Sequence, residues 1–119
     1  MFNLNVDKEG NKLVITFKDY VDLKQAEQFY AQVREIVPKP RKGFRVLTDL
    51  SSLKRMDLSA RVFIEKAMDL FNENGVSKVI RIIPDQNKDI GFNIMSLFHY
   101  SAGIPIHTFK SYQEAENAK

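Results

Sequence analysis

The sequence predicts an α/β fold: a five-stranded mixed sheet with four helices in the order ββαβαβαβα, in one domain over residues 1–119. Two short segments near the N-terminus alternate apolar and polar residues with the period of a half-buried strand. The rest of the chain alternates amphipathic helices with short apolar runs, a pattern that implies parallel strands joined by right-handed crossovers. With 44% hydrophobic and 28% charged residues, the composition is that of a globular domain.

The N-terminal segment is predicted to form an antiparallel hairpin. Apolar residues occupy every second position over 1–7 and again over 13–17. Between them, Glu9, Gly10 and Asn11 are residues typical of a turn.

The first helix is predicted to begin after Asp22, which acts as N-cap and forms a capping box with Gln25. Pro38 and Pro40 end this helix. Its apolar residues share one face at helical spacing. They are Leu23, Ala26, Phe29, Tyr30, Val33, Ile36 and Val37.

A buried strand is predicted over 44–50, and a second helix over 57–74 with Asp57 as its cap and Gly75 at its end. One broad apolar face runs along this helix, and Val62 is the odd apolar residue on its polar side. The residues of the apolar face are Ala60, Phe63, Ile64, Ala67, Met68, Leu70 and Phe71.

After a strand over 76–83, the segment 89–102 is predicted to be a helix with apolar residues almost all the way round. Such a helix is either covered on both sides or presents an apolar surface to a partner, a membrane surface or a hydrophobic ligand. Phe92, Met95, Phe98 and Tyr100 are therefore the candidate hydrophobic ligand or homodimer surface.

The chain closes with a strand over 104–109 and a short helix. Pro105 predicts that this strand lies at the edge of the sheet, because proline cannot donate to a neighbouring strand. Ser111 is predicted to cap the last helix, with Glu114 at the capping-box position.

Composition excludes several kinds of catalytic site. The chain has no cysteine, and its two histidines, His99 and His107, lack the partners that a metal pair needs. No glycine-rich phosphate loop is present, so no cofactor is expected. Asp49 and Asp57 flank one loop and are the remaining acid–base candidates, but capping and strand ending are their simpler roles. We expect no catalytic residue, no metal and no enzyme activity.

Charge and hydropathy limit the partners and the compartment. The net charge is +3, from 18 basic and 15 acidic side chains, and the densest basic run is 39–42 followed by Arg45. We interpret that run as a solvated loop and expect no nucleic-acid partner, since aromatic interleaving is missing. No secretory signal and no apolar run of membrane-spanning length is visible, which predicts a cytoplasmic protein without a membrane span.

The stretch 46–60, Val-Leu-Thr-Asp-Leu-Ser-Ser-Leu-Lys-Arg-Met-Asp-Leu-Ser-Ala, resembles the signature of the STAS family, the anti-sigma factor antagonist domains. In that family a hydrophobic strand ends in Asp-Leu-Ser, and after a short loop an Asp-Ser-Ser-Gly segment begins the next helix. The ending over 103–115 is also similar to the family's last strand and helix. The stretch resembles most the SpoIIAA-like branch of that family, whose fold is similar to that of lipid-binding CRAL-TRIO proteins.

The departure from the family pattern concerns the phosphorylation site. The family's phosphorylatable Ser or Thr follows the capping Asp directly, and Leu58 stands there in this chain. Ser59 matches the next serine of the pattern and is a candidate displaced acceptor, although an ordinary first-turn serine is the simpler interpretation. Ala60 replaces the usual glycine.

The leading hypothesis is a non-catalytic regulatory module that binds a protein partner, a kinase-like or other regulatory protein. The candidate contact residues lie in a loop over 51–57 and at the start of the second helix. They are Ser51, Ser52, Lys54, Asp57, Leu58 and Ser59. The alternative is a carrier or sensor of a hydrophobic, lipid-like small molecule held under the helix over 89–102. A homodimer through that helix is compatible with either hypothesis.

Overall fold

The computed structural model describes residues 1–37, 40–82 and 104–117. They form one five-stranded sheet in which each strand pairs with the next along the chain. The elements are β1 (Phe2–Asp7), β2 (Lys12–Val21), α1 (Leu23–Ile36), β3 (Arg45–Met56), a 3-10 turn (Leu58–Ala60), α2 (Arg61–Glu73), β4 (Lys78–Ile82), β5 (Ile106–Phe109) and α3 (Tyr112–Asn117).

The predicted topology is confirmed. β1 pairs with β2 antiparallel, and β2, β3, β4 and β5 pair parallel in that order. β5 lies at the edge of the sheet, as Pro105 predicted, and the carbonyl of Pro105 accepts a hydrogen bond from the Val79 amide at 2.9 Å. The predicted helix over 89–102, with Phe92, Met95, Phe98 and Tyr100, lies outside the described residues.

The two faces of the sheet have separate apolar clusters. On one face α1 and α2 pack over β2 and β3, with Phe17 and Phe29 in edge-to-face contact at 5.1 Å between ring centroids. On the other face Leu47, Ile80 and Ile82 pack against Ala115 of α3. Residues i and i+2 of a strand face the same side, so the alternation in the sequence determines which residues belong to each cluster.

The caps of the first and last helices follow the sequence with one exception. Asp22 Oδ1 accepts a hydrogen bond from the Gln25 amide at 2.8 Å, and Ser111 Oγ accepts one from the Glu114 amide at 3.1 Å. The prediction that the Gln25 side chain bonds back to the backbone of Asp22 is wrong. Gln25 Oε1 accepts a hydrogen bond from the ammonium group of Met1 instead. That ammonium also donates to the Tyr20 carbonyl at 2.7 Å, so the N-terminus lies beside the end of β2.

The strand predicted over 44–50 is longer than expected. β3 continues to Met56, and β2 continues to Val21, so their ends pair from Lys18 with Ser52 to Val21 with Met56. Two register irregularities interrupt this pairing. They break the strict period of two, which is why the sequence suggested a loop over 51–57 where the structure has a strand over most of that range.

The turn between β1 and β2 is anchored to the segment before β3. Asn11 has a positive φ of 48°, a conformation in which asparagine is enriched among non-glycine residues. Its side chain donates to the Arg41 carbonyl at 3.0 Å and accepts from the Arg41 amide at 3.1 Å. The Asn11 carbonyl also accepts from the Arg45 amide at 3.0 Å, so one residue fixes the start of β3.

Candidate functional site

The candidate partner-binding residues gather where the parallel strands β2 and β3 end. The amide of Asp57 donates to the Val21 carbonyl at 2.9 Å, which holds the start of the 3-10 turn against the start of α1. In open α/β sheets, ligands bind outside the carboxyl ends of the strands. We call this end of the sheet the carboxyl edge.

A cluster of three side chains stabilises the carboxyl edge. The Tyr20 hydroxyl donates to Asp57 Oδ2 at 2.6 Å, and the Arg55 guanidinium lies 4.7 Å from the centre of the Tyr20 ring. Arg55 also approaches Asp57 at 3.7 Å. The pKa of Arg55 is raised above its ordinary value. The largest cause is its interaction with the Tyr20 hydroxyl, through hydrogen bonding and electrostatic attraction, and the Asp57 carboxylate adds a smaller effect. An arginine guanidinium is protonated throughout the physiological pH range, so Arg55 is a permanent cation at this edge.

The prediction that the Asp57 side chain caps the second helix is wrong. Asp57 precedes the 3-10 turn, but its side chain accepts no hydrogen bond from the backbone of that turn. Instead its carbonyl accepts from the Ala60 amide at 3.0 Å, while its carboxylate binds Tyr20 and Arg55. The carboxylate is drawn to the neighbouring strand because β2 extends far enough to bring the Tyr20 hydroxyl within reach.

Besides Met1, whose ammonium group lies at the end of β2, four large apolar side chains are exposed at the carboxyl edge. Leu58 is 80% exposed and Val62, four residues later at the start of α2, is 52% exposed. Leu23, the first residue of α1, is 44% exposed and Tyr20 is 38% exposed. We call Tyr20, Leu23, Leu58 and Val62 the carboxyl-edge patch. Exposed apolar surface rimmed by polar groups is the feature that marks interaction sites on proteins.

Sequence reasoning found only part of this patch. Leu58 was a candidate, and Val62 was noted as an odd apolar residue, which its exposure confirms. Leu23 was assigned to the buried face of the first helix, which is wrong, because the first residue of a helix can lie beyond the edge of the sheet it covers. Tyr20 and Arg55 were missed. Tyr20, an aromatic residue two positions before the capping Asp22, was the available signal.

The polar candidates have the following positions. Ser51, Ser52 and Lys54 are exposed on β3, and Ser59 is exposed on the 3-10 turn. Asp49, predicted to end a strand, lies within β3. Its Oδ1 accepts from the amide and the hydroxyl of Ser51, at 2.9 Å and 2.6 Å.

The other sequence candidates do not join the carboxyl edge. His107 is exposed on β5, as its position in the strand predicted, and His99 lies outside the described residues. In residues 1–37, 40–82 and 104–117, no three His, Asp or Glu side chains are grouped as a metal site would require. In the same ranges no helix has the length and hydropathy to cross a membrane. A cavity of about 20 Å³ lies among core residues that include Phe17, Phe29 and Met68, which is room for one water molecule.

Comparison with solved structures identifies the fold. An uncharacterised protein of the DUF3478 family with a SpoIIAA-like fold, from Shewanella loihica PV-4, superposes with a TM-score of 0.73 at 12% identity, covering 98% of this chain and 91% of that one. The phosphorylated form of SpoIIAA, a Bacillus cell fate determinant, gives 0.63 at 17% identity, covering 98% and 97%. An anti-sigma factor antagonist from Mycobacterium paratuberculosis gives 0.60 at 13% identity, covering 99% and 93%.

Comparisons of the sequence itself give nothing further: no family model matches the chain, and no curated protein matches at a significant level. The structural superpositions cover nearly the whole chain, so it has the SpoIIAA-like, STAS-type fold. At these identities the likeness is one of fold.

Proposed function

We propose that this chain is a non-catalytic regulatory module that binds a protein partner through the carboxyl edge. The contact residues are Ser51, Ser52, Lys54, Asp57, Leu58 and Ser59. The observation that carries the proposal is the 80% exposure of Leu58 at the first turn before α2. The likeness in fold to SpoIIAA and to an anti-sigma factor antagonist supports a regulatory role of this kind.

The surroundings of Leu58 have the anatomy of a small protein interface. Interfaces combine an apolar centre with a polar rim. Here the carboxyl-edge patch provides the centre, while Lys54, Arg55 and the exposed serines of β3 provide the rim. Because Tyr20, Arg55 and Asp57 hold one another in place, part of this surface is ordered before binding, which reduces the entropy cost of association.

Leu58 also predicts how the interaction is controlled. A leucine carries no hydroxyl, so a phosphate cannot be placed at this position to repel or recruit a partner. Binding through Leu58 is therefore constitutive in the sense that no phosphate at this position controls it. Ser59 is exposed on the same turn and is the remaining candidate acceptor. Intact-mass measurement of the protein from its native cells tests this: an added phosphate mapped to Ser59 would replace constitutive binding with a switched contact.

The direct test is affinity capture from native cell extract with Leu58→Asp, followed by titration of the captured protein against the purified chain. A buried charge at the centre of an interface costs about 2 kcal/mol or more. We therefore expect the Kd to rise by about thirtyfold, and Lys54→Ala to have a smaller effect because it lies on the rim. The Asp substitution should leave folding intact, since Leu58 is largely exposed.

The matched control is Gln32→Asp. Gln32 is exposed near the middle of α1, away from the carboxyl edge, and its replacement adds the same charge. A partner that binds the wild type and Gln32→Asp equally but is lost with Leu58→Asp supports the proposal. A partner that binds all three with the same Kd contradicts it.

A further inference from the structure

Three cationic residues lie side by side at the opposite end of the sheet, which we call the amino edge. Lys12 pairs with Arg45, and Arg45 pairs with Lys78, on the adjacent strands β2, β3 and β4. Register partners on parallel strands face the same side and lie about 5 Å apart. Within the described part of the chain, none of the three forms an ion pair within 4 Å. Like charges placed directly beside one another destabilise a sheet.

A cleft with a mixed polar and apolar lining lies beside two members of this row, Lys12 and Arg45. Its volume is about 280 Å³, close to the lower limit for small-molecule sites. Leu47 and Ile80 form its floor, each two residues after a member of the row and therefore on the same face of the sheet. Ala115 of α3 completes the apolar lining, and Lys12 and Arg45 line the cleft as cations.

The cleft is fixed by the backbone around it. Arg45 Nη2 donates to the Gly10 carbonyl at 3.3 Å, and its amide binds the Asn11 carbonyl. Asp7 is the one carboxylate among the described lining residues, and it accepts from the Gly10 amide at 3.1 Å. A side chain on Gly10 would meet Asp7, since a Cβ there would lie 2.7 Å from Asp7 Oδ2. The lining therefore holds two cations, each the first residue of a strand beside an anchored turn, and Lys78 is next to Arg45 in the register.

We propose that this cleft binds a phosphate monoester with a small apolar body. A phosphate carries nearly two negative charges at pH 7, so it offsets the mutual repulsion of three neighbouring cations better than a single carboxylate does. The apolar part of the ligand lies against the floor of the cleft at Leu47 and Ile80, whose side chains are themselves largely buried. A second cleft beside Val6, Lys8 and Arg41 has a volume of about 330 Å³ but lacks both the cationic row and this floor. The proposed site is independent of the carboxyl edge.

Hexyl phosphate is the probe for this site, with hexan-1-ol and inorganic phosphate as partial ligands. We expect saturable binding of hexyl phosphate by calorimetry, and shifts of the Leu47 and Ile80 methyl resonances in NMR spectra. Lys12→Ala combined with Lys78→Ala should weaken binding about tenfold, because two partly exposed charges are removed. The control, Lys18→Ala combined with Lys24→Ala, removes two exposed cations elsewhere and should leave the affinity unchanged.

Vesicles of phosphatidylcholine with phosphatidic acid distinguish a lipid headgroup from a free metabolite as the natural source. If the protein binds the vesicles and the double variant Lys12→Ala with Lys78→Ala selectively weakens that binding, the natural ligand is a lipid headgroup. If the protein binds hexyl phosphate but not the vesicles, the natural ligand is a soluble monoester. Two results would overturn the proposal. One is hexyl phosphate binding no better than either partial ligand; the other is equal weakening by both double variants, which would show attraction by net charge only.

Discussion

The two edges of this sheet differ in the kind of surface they present. Residues 18–25 and 49–65 at the carboxyl edge include five basic and five acidic side chains, and this edge exposes five large apolar side chains, Met1 among them. Residues 7–12, 40–45 and 72–78 at the amino edge include six basic and three acidic side chains. One edge is therefore neutral and apolar, whereas the other is cationic.

This difference indicates two kinds of recognition on one scaffold. A neutral apolar surface gains affinity from burial and depends little on salt, while exposed cations act through charge and are screened within about 10 Å at 0.1 M salt. Parallel strands make the separation possible, because all their carboxyl ends meet at one edge and all their amino ends at the other. Three predictions test whether the two edges are stabilised in the different ways that their contacts suggest.

The largest effect is expected from Asn11→Ala at the amino edge. This substitution removes two hydrogen bonds to Arg41 and leaves an alanine at a φ of 48°, so the free energy of unfolding should fall by about 2 kcal/mol. Urea unfolding followed by circular dichroism measures the change. Asn11→Gly separates the two causes, since glycine accepts this φ but also loses the hydrogen bonds. An alanine variant as stable as the wild type would show that Asn11 does not fix this edge.

A smaller effect is expected from Tyr20→Phe at the carboxyl edge. The hydrogen bond to Asp57 is lost while the ring and its contact with Arg55 remain, so the stability should decrease by about 1 kcal/mol. Hydrogen exchange of the Asp57 amide should become faster at the same time. Tyr30→Phe is the control, because within the described residues the Tyr30 ring contacts cations and Phe63 but its hydroxyl has no hydrogen bond. Equal losses in both variants would contradict the assigned role of Asp57.

The smallest effect has the opposite sign. Lys78→Gln removes the cation beside Arg45, at the end of the row of three. It should therefore stabilise the protein by a few tenths of a kcal/mol at low salt. The gain should disappear near 1 M salt, where the screening length is about 3 Å. Thermal unfolding at the two salt concentrations measures it, with Lys24→Gln on α1 as the matched control. A gain in stability that does not depend on salt would mean that packing, and not charge repulsion, causes the difference in stability between the two variants.

Local patterns were sufficient where a residue's role depends on its nearest neighbours in sequence. Asp22 and Ser111 cap their helices because the capped amide lies three residues away. Pro105 directly precedes the edge strand β5, and its ring lacks the donor that an inner strand needs. The family resemblance, read from 46–60, led to the fold that the structural comparisons confirm.

The roles of other residues depended on a second strand. β3 reaches Met56 because β2 extends beside it, and no residue within 51–56 signals that partner. The Asp57 carboxylate accepts a hydrogen bond from Tyr20, 37 positions earlier, instead of capping the nearby helix.

The sequence by itself determined the order of the strands, the amphipathic character of the first two helices and the apolar residue Leu58 before the second helix, since these follow from periodicity and residue chemistry. Only the tertiary structure decided that Tyr20 and Leu23 join Leu58 at one edge. It likewise decided that Lys12, Arg45 and Lys78, which lie far apart in the chain, stand in one row. The reason is physical: side-chain periodicity is local, whereas register between strands is fixed by pairing and packing across the whole sheet.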